Sequence, residues 1–225
     1  GKQKSHEEFI LSKLKENIHP EFFYFEDAPT IVKRRYVDKD LLKLFEVYFY
    51  NDEPSLEHID PQVCSWLEVN TAKFDIVVVP DFGNGFISTN MIQKLCDHAR
   101  FLAVNTQVNS GNRGYHSINR YPCADFVALN GPELRIAAHD RHASYENLAK
   151  LIMKRIGAEY FGVTQGSDGA LLLDKSLHKT HRIPVLSTKV LDRIGAGDSF
   201  LSLAALCLGG ELDSDIALFV GSAAA

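Results

Sequence analysis

From residue 60 onward, short apolar β-branched runs alternate with helical stretches, and this alternation limits the fold more than any other feature of the chain. Asp75 to Pro80 (DIVVVP) predicts a short buried strand, Phe101 to Thr106 a second, Asp125 to Asn130 a third and Tyr160 to Thr164 a fourth. Between them, Asp60-Pro61 predicts a helix start with aspartate as cap and proline in the first turn. Ser88 or Thr89 caps a helix running to about Ala99, and Ser144 to Ile156 is amphipathic at helical spacing. A hairpin-like run follows through Ala170 to Leu173, then a long helix from near Gly197 and a last one from Ser214. Strands that alternate with helices in this way form βαβ units, giving an α/β fold with a mostly parallel sheet flanked by helices. Ligands of such sheets lie beyond the carboxyl ends of the strands, which singles out Asp81, Asn105, Asn130, Thr164 and the loop before Gly197.

The first part of the chain has a different rhythm. Ser5 and Glu8 have capping-box spacing, and Phe9, Ile10, Leu11 and Leu14 supply an apolar face, so an opening helix is expected. Phe22 to Phe25, Thr30 to Val37 and Leu44 to Tyr50 are aromatic and β-branched and read as strands, the last two as an antiparallel hairpin around Asp38-Lys39-Asp40. Two regions result: 1–58, a helix and an edge hairpin, and 59–225, an α/β core.

Charge and cysteine content exclude several function classes. A net charge of -5 provides no basic excess for a nucleic-acid surface. No apolar run reaches the ~18 residues of a membrane span, and Gly1 to Lys4 lacks the apolar stretch of a signal peptide. The four cysteines, Cys64, Cys96, Cys123 and Cys207, lie far apart without a CxxC pair, so neither zinc nor disulfides are expected, and a reducing, cytoplasmic location is. His116, His139, His142, His178 and His181 form no HExxH-type pair; His178 and His181 are expected to alternate on an exposed strand. Trp66, among Val63, Leu67 and Val69, reads as packing, and Lys94, Asp97 and Arg100 as a solvated helix face.

The sharpest segment is Asp192-Arg193-Ile194-Gly195-Ala196-Gly197-Asp198-Ser199-Phe200. Two glycines allow a tight turn, and the apolar run Phe200, Leu201, Leu203, Leu206 makes the continuation helical, so backbone N–H groups at the helix start form an anion cradle. An aspartate in that first turn is placed to accept a proton from a hydroxyl nucleophile while the amides hold a phosphoryl group. A bare Gly-x-Gly-Asp reads first as an ordinary helix start, and the longer pattern shifts the reading.

That pattern resembles the D-T-x-G-A-G-D-x-F signature of the ribokinase (PfkB-type) carbohydrate kinases, with Arg193 where threonine is usual. The resemblance implies a ribokinase-like fold, Asp198 as catalytic base, the amides of Gly195, Ala196 and Gly197 as anion hole, and Asp192 and Arg193 beside the nucleotide. Val163-Thr164-Gln165-Gly166-Ser167-Asp168-Gly169 resembles the family's T-x-G-x-x-G, which implies nucleotide contacts from Thr164, Gly166 and Gly169. Asn130-Gly131-Pro132-Glu133 resembles its N-x-x-E element, which implies that Asn130 and Glu133 organise Mg²⁺; the same residues also read as a helix cap with glutamate at N3. Asp81-Phe82-Gly83-Asn84-Gly85 resembles the substrate-side loop of heptose-phosphate kinases, pointing to Asp81 and Asn84; a simple strand–helix turn accounts for it equally well. Lys33 and Arg35 share one strand face, with Arg34 on the other, and match a segment that contacts a phosphorylated sugar; a charged edge strand accounts for them equally well. Asn105 to Asn112 is an amide-rich loop on the nucleotide side, or simply a polar loop.

The resemblance covers roughly residues 28 to 225 and is nearest to the kinase half of heptose kinase/nucleotidyltransferase enzymes. It implies an ATP- and Mg²⁺-dependent kinase acting on a sugar or sugar phosphate, heptose 7-phosphate among them, a precursor of lipopolysaccharide. It leaves room for a monovalent cation, a homodimer, and a paired or fused nucleotidyltransferase domain. A nucleoside or hydroxymethylpyrimidine acceptor, or a non-catalytic nucleotide-binding fragment, stays open. Nothing before Ser5 resembles the family's Gly-Gly sugar-binding segment, and the apolar run Ala217 to Ala225 ends without a cap, so a chain truncated at both family ends, with an incomplete sugar site, is expected.

Overall fold

The structure is a computed structural model that describes all residues except 1–3, 5, 40–42, 52–53, 110, 113, 177 and 188–193. Helix α1 (Glu7–Lys13) precedes a two-stranded antiparallel sheet of β1 (Val32–Val37) and β2 (Lys43–Phe49). The core then runs α2 (Ile59–Asn70), β3 (Val77–Asp81), α3 (Thr89–His98), β4 (Leu102–Thr106), β5 (Phe126–Asn130), α4 (Gly131–Ala138) and α5 (Tyr145–Ile156). It continues through β6 (Tyr160–Thr164), β7 (Ala170–Asp174), β8 (Lys179–Ile183), α6 (Ala196–Gly209) and α7 (Ser214–Ala224).

The six-stranded sheet has the order β3-β4-β5-β6-β7-β8; the first four strands pair parallel and the last two join antiparallel. Because side chains alternate across a strand, each strand feeds both layers. Leu102 and Val104 of β4 join Ile92, Leu95, Leu134 and Ile152 in the layer under α3, α4 and α5. Ala103 of the same strand joins Phe200, Leu201, Ala204 and Leu218 under α6 and α7. Parallel strands buried on both faces are apolar throughout, which is why β4 and β5 carry almost no exposed side chain. Strand β3 is the edge of this sheet and is only half covered, short of the burial expected for it.

Several expectations give way to tertiary packing. Phe22 to Phe25 is not a strand: Phe25 enters a small core with Ile59, Val63 and Met91, and Phe23 lies edge-on to the half-buried Trp66 at 6.1 Å. Phe23 and Phe25 therefore pack against α2 instead of pairing in a sheet. His58, not Asp60, occupies the cap position of α2, and Asp60 instead accepts hydrogen bonds from Ser88 and, at 2.8 Å, from Asn90 Nδ2. The Ser88 hydroxyl also caps α3 at Met91 N, joining two helix starts through one carboxylate. The capping residue expected for α1, Ser5, lies outside the described residues, and the helix buries none of its side chains.

The cysteine and histidine expectations are also corrected. Cys96 and Cys123 form a disulfide, their Cα atoms 5.9 Å apart across a sequence separation of 27. Both lie just before a strand, Cys96 late in α3 before β4 and Cys123 before β5, so parallel pairing brings them together in a way that spacing does not reveal. His178 sits in a turn with φ 49°, whereas His181 is buried on β8 and pairs through Nδ1 with Asp215 of α7. Close by, Ser214 Oγ donates to the buried Asp174 at 2.5 Å. These contacts gather toward the amino-terminal end of the parallel strands, opposite the end where β3, β5 and β6 present Asp81, Asn130 and Thr164. No helix among the described residues is long and apolar enough to cross a membrane.

Candidate active site

The loops at the carboxyl end of the sheet converge on the start of α6. Gly195 precedes the helix with φ 84°, a left-handed conformation that a residue with a Cβ adopts only with strain. The first helical bond in this region runs from Ser199 N to Gly195 O at 2.8 Å, so the N–H groups of Ala196, Gly197 and Asp198 lie in the unbonded first turn. Among the described residues, a Cβ built on Gly195 or Gly197 meets nothing within 4 Å, so the turn leaves space beside these amides. Asp192 and Arg193 lie outside the described residues.

Asp198 is half-buried, and its Oδ1 accepts a hydrogen bond from Gln107 Nε2 at 3.1 Å. Two further charged groups interact with it. Lys33 on β1 rests its ammonium against the rings of Tyr48 and Phe82, 5.2 and 5.4 Å from their centroids. Burial holds its pKa below the ordinary lysine value and Arg35 adds to this, while Glu46 and Asp198 pull the other way. Arg35 forms an ion pair with Glu46, and Arg34, on the opposite face, stacks over Phe49. The inner face of the hairpin thus carries the Lys33 cation toward the start of α6.

Glu133 is the second carboxylate. It forms a complete capping box with Asn130: Glu133 N donates to Asn130 Oδ1 at 2.9 Å, and Asn130 N donates to Glu133 Oε2 at 3.0 Å. Val108 N reaches Glu133 Oε1 at 3.4 Å. Burial pushes the Glu133 pKa above the usual glutamate value, the backbone donors offset part of this, and the charge of Asp198 adds to the rise. A buried carboxylate whose proton affinity is raised by burial and by a second carboxylate nearby marks a place for a cation. Among the described residues no three His, Cys, Asp or Glu side chains gather as a metal cage. With the Glu133 oxygens held by backbone, the donor set suits Mg²⁺ bound through its own waters, the usual manner of that ion.

The other expected positions are spread around this point. Thr164 at the end of β6 is the register partner of Asn130 at the end of β5, so nucleotide-side and metal-side candidates are adjacent. Gly166, with φ 61°, opens a 3₁₀ turn, and Gly169 closes the loop as its carbonyl accepts from Gln165 N at 2.8 Å. Asn84 is half-buried in the loop after β3. Asp81 has only 3% exposure: it accepts from Gly83 N at 2.9 Å, Arg120 Nη1 at 3.1 Å and the Tyr121 hydroxyl at 3.1 Å, so its carboxylate faces protein donors. A cleft of about 630 Å³ opens beside that loop, lined by Asp60, Gly85, Ser88, Asn90, His116 and Arg120, with Asp198 not in its wall.

Sequence reasoning did not assign Gln107, Arg120 or Tyr121. Gln107 lies in the amide-rich loop after β4, and the strand-end rule extends to it. Arg120 and Tyr121 belong to a 3₁₀ turn whose pairing with Asp81 spans 39 and 40 residues, which no local pattern signals.

Comparison with known proteins bears on the family and the fold. The bifunctional protein HldE of Pelobacter propionicus is 30% identical over 157 residues, covering 68% of this chain and 31% of the relative. The chain thus spans about a third of that protein's length. Among solved structures, phosphofructokinase-2 from Escherichia coli in complex with potassium superposes with a TM-score of 0.65 at 17% identity, over 80% of this chain and 58% of that one. Ribokinase from Thermotoga maritima gives a TM-score of 0.61 at 19% identity, over 87% and 62% of the two chains. These two establish a shared fold, ribokinase-like as expected. Residues 4–225 match the pfkB family of carbohydrate kinases, and the chain belongs to that family.

Proposed function

We propose that the chain transfers the γ-phosphoryl group of ATP to a hydroxyl of a sugar phosphate, with heptose 7-phosphate as the acceptor. The observation that carries this reading is the start of α6, where a carboxylate and three amides without a helical partner occupy one turn. A bound Mg²⁺ would supply charge neutralisation at the phosphates. Glu133 and Asn130 hold its waters, and the Ala196, Gly197 and Asp198 amides take the charge on the migrating phosphoryl group. Asp198 accepts the proton of the attacking hydroxyl. That oxygen bonds to the γ-phosphorus, the bond to the β–γ bridging oxygen breaks, and ADP departs. Thr164 and Gly166 lie along the nucleotide, while Lys33, presented by the hairpin, meets the acceptor's phosphate. The likeness to a protein named bifunctional supports a nucleotidyltransferase domain on the same natural polypeptide.

The test is Asp198→Asn in the full natural chain, assayed with ATP and heptose 7-phosphate. Loss of a general base lowers kcat by about 10²–10⁴-fold, with ATP affinity by calorimetry retained. Undiminished turnover would refute the base. A panel containing nucleosides, hydroxymethylpyrimidine and non-heptose sugar phosphates tests the acceptor, and a preference for any of these over heptose 7-phosphate overturns that choice.

A further inference from the structure

The loop after β4 belongs to neither the signature segment nor the helix-start motifs, yet it touches both carboxylates of the site. Its residues 107 and 108 are consecutive: the Gln107 side chain donates to Asp198, and the Val108 backbone N–H donates to Glu133. The Gln107 backbone is fixed on both sides, its N–H donating to Asp81 O at 2.9 Å and its carbonyl accepting from Asn112 Nδ2 at 2.8 Å. Asn112 is itself buried, and its Oδ1 accepts from Asn109 N at 3.2 Å and Gly114 N at 3.0 Å. Gly83 packs so closely here that an added Cβ would lie 2.0 Å from Asn112 Nδ2. The amide that reaches Asp198 therefore hangs from a backbone clamped to the strand beside it.

An amide suits this place. A carboxylate acting as base needs one oxygen pointed at the reacting hydroxyl, and a free aspartate side chain rotates about χ1 and χ2. A donor on Oδ1 fixes the plane and leaves Oδ2 for the proton. Glutamine does so without a charge, whereas an ammonium would stabilise the anion and reduce its basicity. We infer that Gln107 is a positioning residue for Asp198, setting the orientation of the base while leaving its charge environment to Lys33 and Glu133. The inference rests on Asp198 being the base, and the experiment separates the two.

Gln107→Ala, Gln107→Glu and Gln107→Lys are compared with Asp198→Asn in the full natural chain, using ATP and heptose 7-phosphate across pH. Gln107→Ala is expected to lower kcat by about 10²-fold, the usual effect of a misplaced catalytic group, with KM for ATP unchanged. Gln107→Glu moves the acidic limb of the kcat/KM profile up and Gln107→Lys moves it down, each by about one pH unit. Opposite shifts show that the side chain at 107 lies beside the base, and the loss of kcat in Gln107→Ala at unchanged KM for ATP shows that the contact positions it. If Gln107→Ala keeps kcat, or if the limb is fixed in both charged variants while Asp198→Asn is inactive, the positioning role is overturned and the base stands. If Asp198→Asn keeps full turnover, the base falls and the role of Gln107 falls with it.

Discussion

Asp81→Ala isolates what fastens the carboxyl end of the sheet. Removing this carboxylate takes the acceptor from three donors: Gly83 N, the Tyr121 hydroxyl and Arg120 Nη1. Tyr121 is 1% exposed, so its hydroxyl is left without solvent as a substitute. Each buried donor stranded in this way costs about 1–3 kcal/mol. The Arg120 side chain is 24% exposed and keeps a bond to Ile87 O at 2.6 Å, so its loss is smaller than for a fully buried pair. A total of about 4 kcal/mol follows, equivalent to a fall in Tm of roughly 8–16 °C for a domain of this size. Thermal and guanidinium unfolding followed by circular dichroism give the number, and Tyr121→Phe completes a double-mutant cycle. In the parent background Tyr121→Phe removes a hydrogen bond; in the Asp81→Ala background it removes an orphan hydroxyl and recovers about 1 kcal/mol. A Tm within 2 °C of the parent, or an equal effect of Tyr121→Phe in both backgrounds, would refute the fastening role.

Two further outcomes follow from other contacts. Breaking the Cys96–Cys123 bridge by a strong thiol reductant, or by replacing both cysteines with serine, releases a loop of 27 residues. The loop-entropy relation puts the loss at about 3.5 kcal/mol, and an unchanged unfolding midpoint in guanidinium would refute it. Glu133 holds its proton more tightly folded than unfolded because burial raises its pKa. Its contribution to stability is therefore fully present below the ordinary glutamate value and is lost as pH rises through the raised one. Urea unfolding of the parent and of Glu133→Gln from acid to neutral pH should show the parent gaining on the variant as pH falls, and a constant difference would remove this account.

The core strands and helices were readable because they are local: β4, β5 and β6 are short, mostly apolar runs that end in a polar residue, and Ser88 and Ser144 announce their helices by side-chain capping. Phe22 to Phe25 misled because aromatic content is common to strands and to segments that cover a helix, and only the presence of α2 decides between them. Asp60 beside Pro61 has the composition of a cap, but Ser88 and Asn90 draw its carboxylate to another helix start. His181 is adjacent to charged residues in sequence and buried in space because α7 returns over β8. At the site, Asn130, Glu133 and Asp198 stood out because each belongs to a short pattern. Gln107 had none, and its role is visible only once a strand end and a helix start 91 residues apart meet.

The cross-links at the opposite end of the sheet have a bearing on how such a chain diversifies. Cys96–Cys123, Asp174–Ser214 and His181–Asp215 tie the layers together at a distance from the loops that follow β3, β5 and β6. Substitutions there should reduce the amount of folded protein while leaving the choice of acceptor untouched. Changes in the opposite loops should alter selectivity at little expense in yield, with Asp81 and the tightly packed Gly83 as exceptions. Survival and specificity can thus be selected largely apart, and a library randomised at one pole would explore new acceptors without first exhausting the stability held at the other.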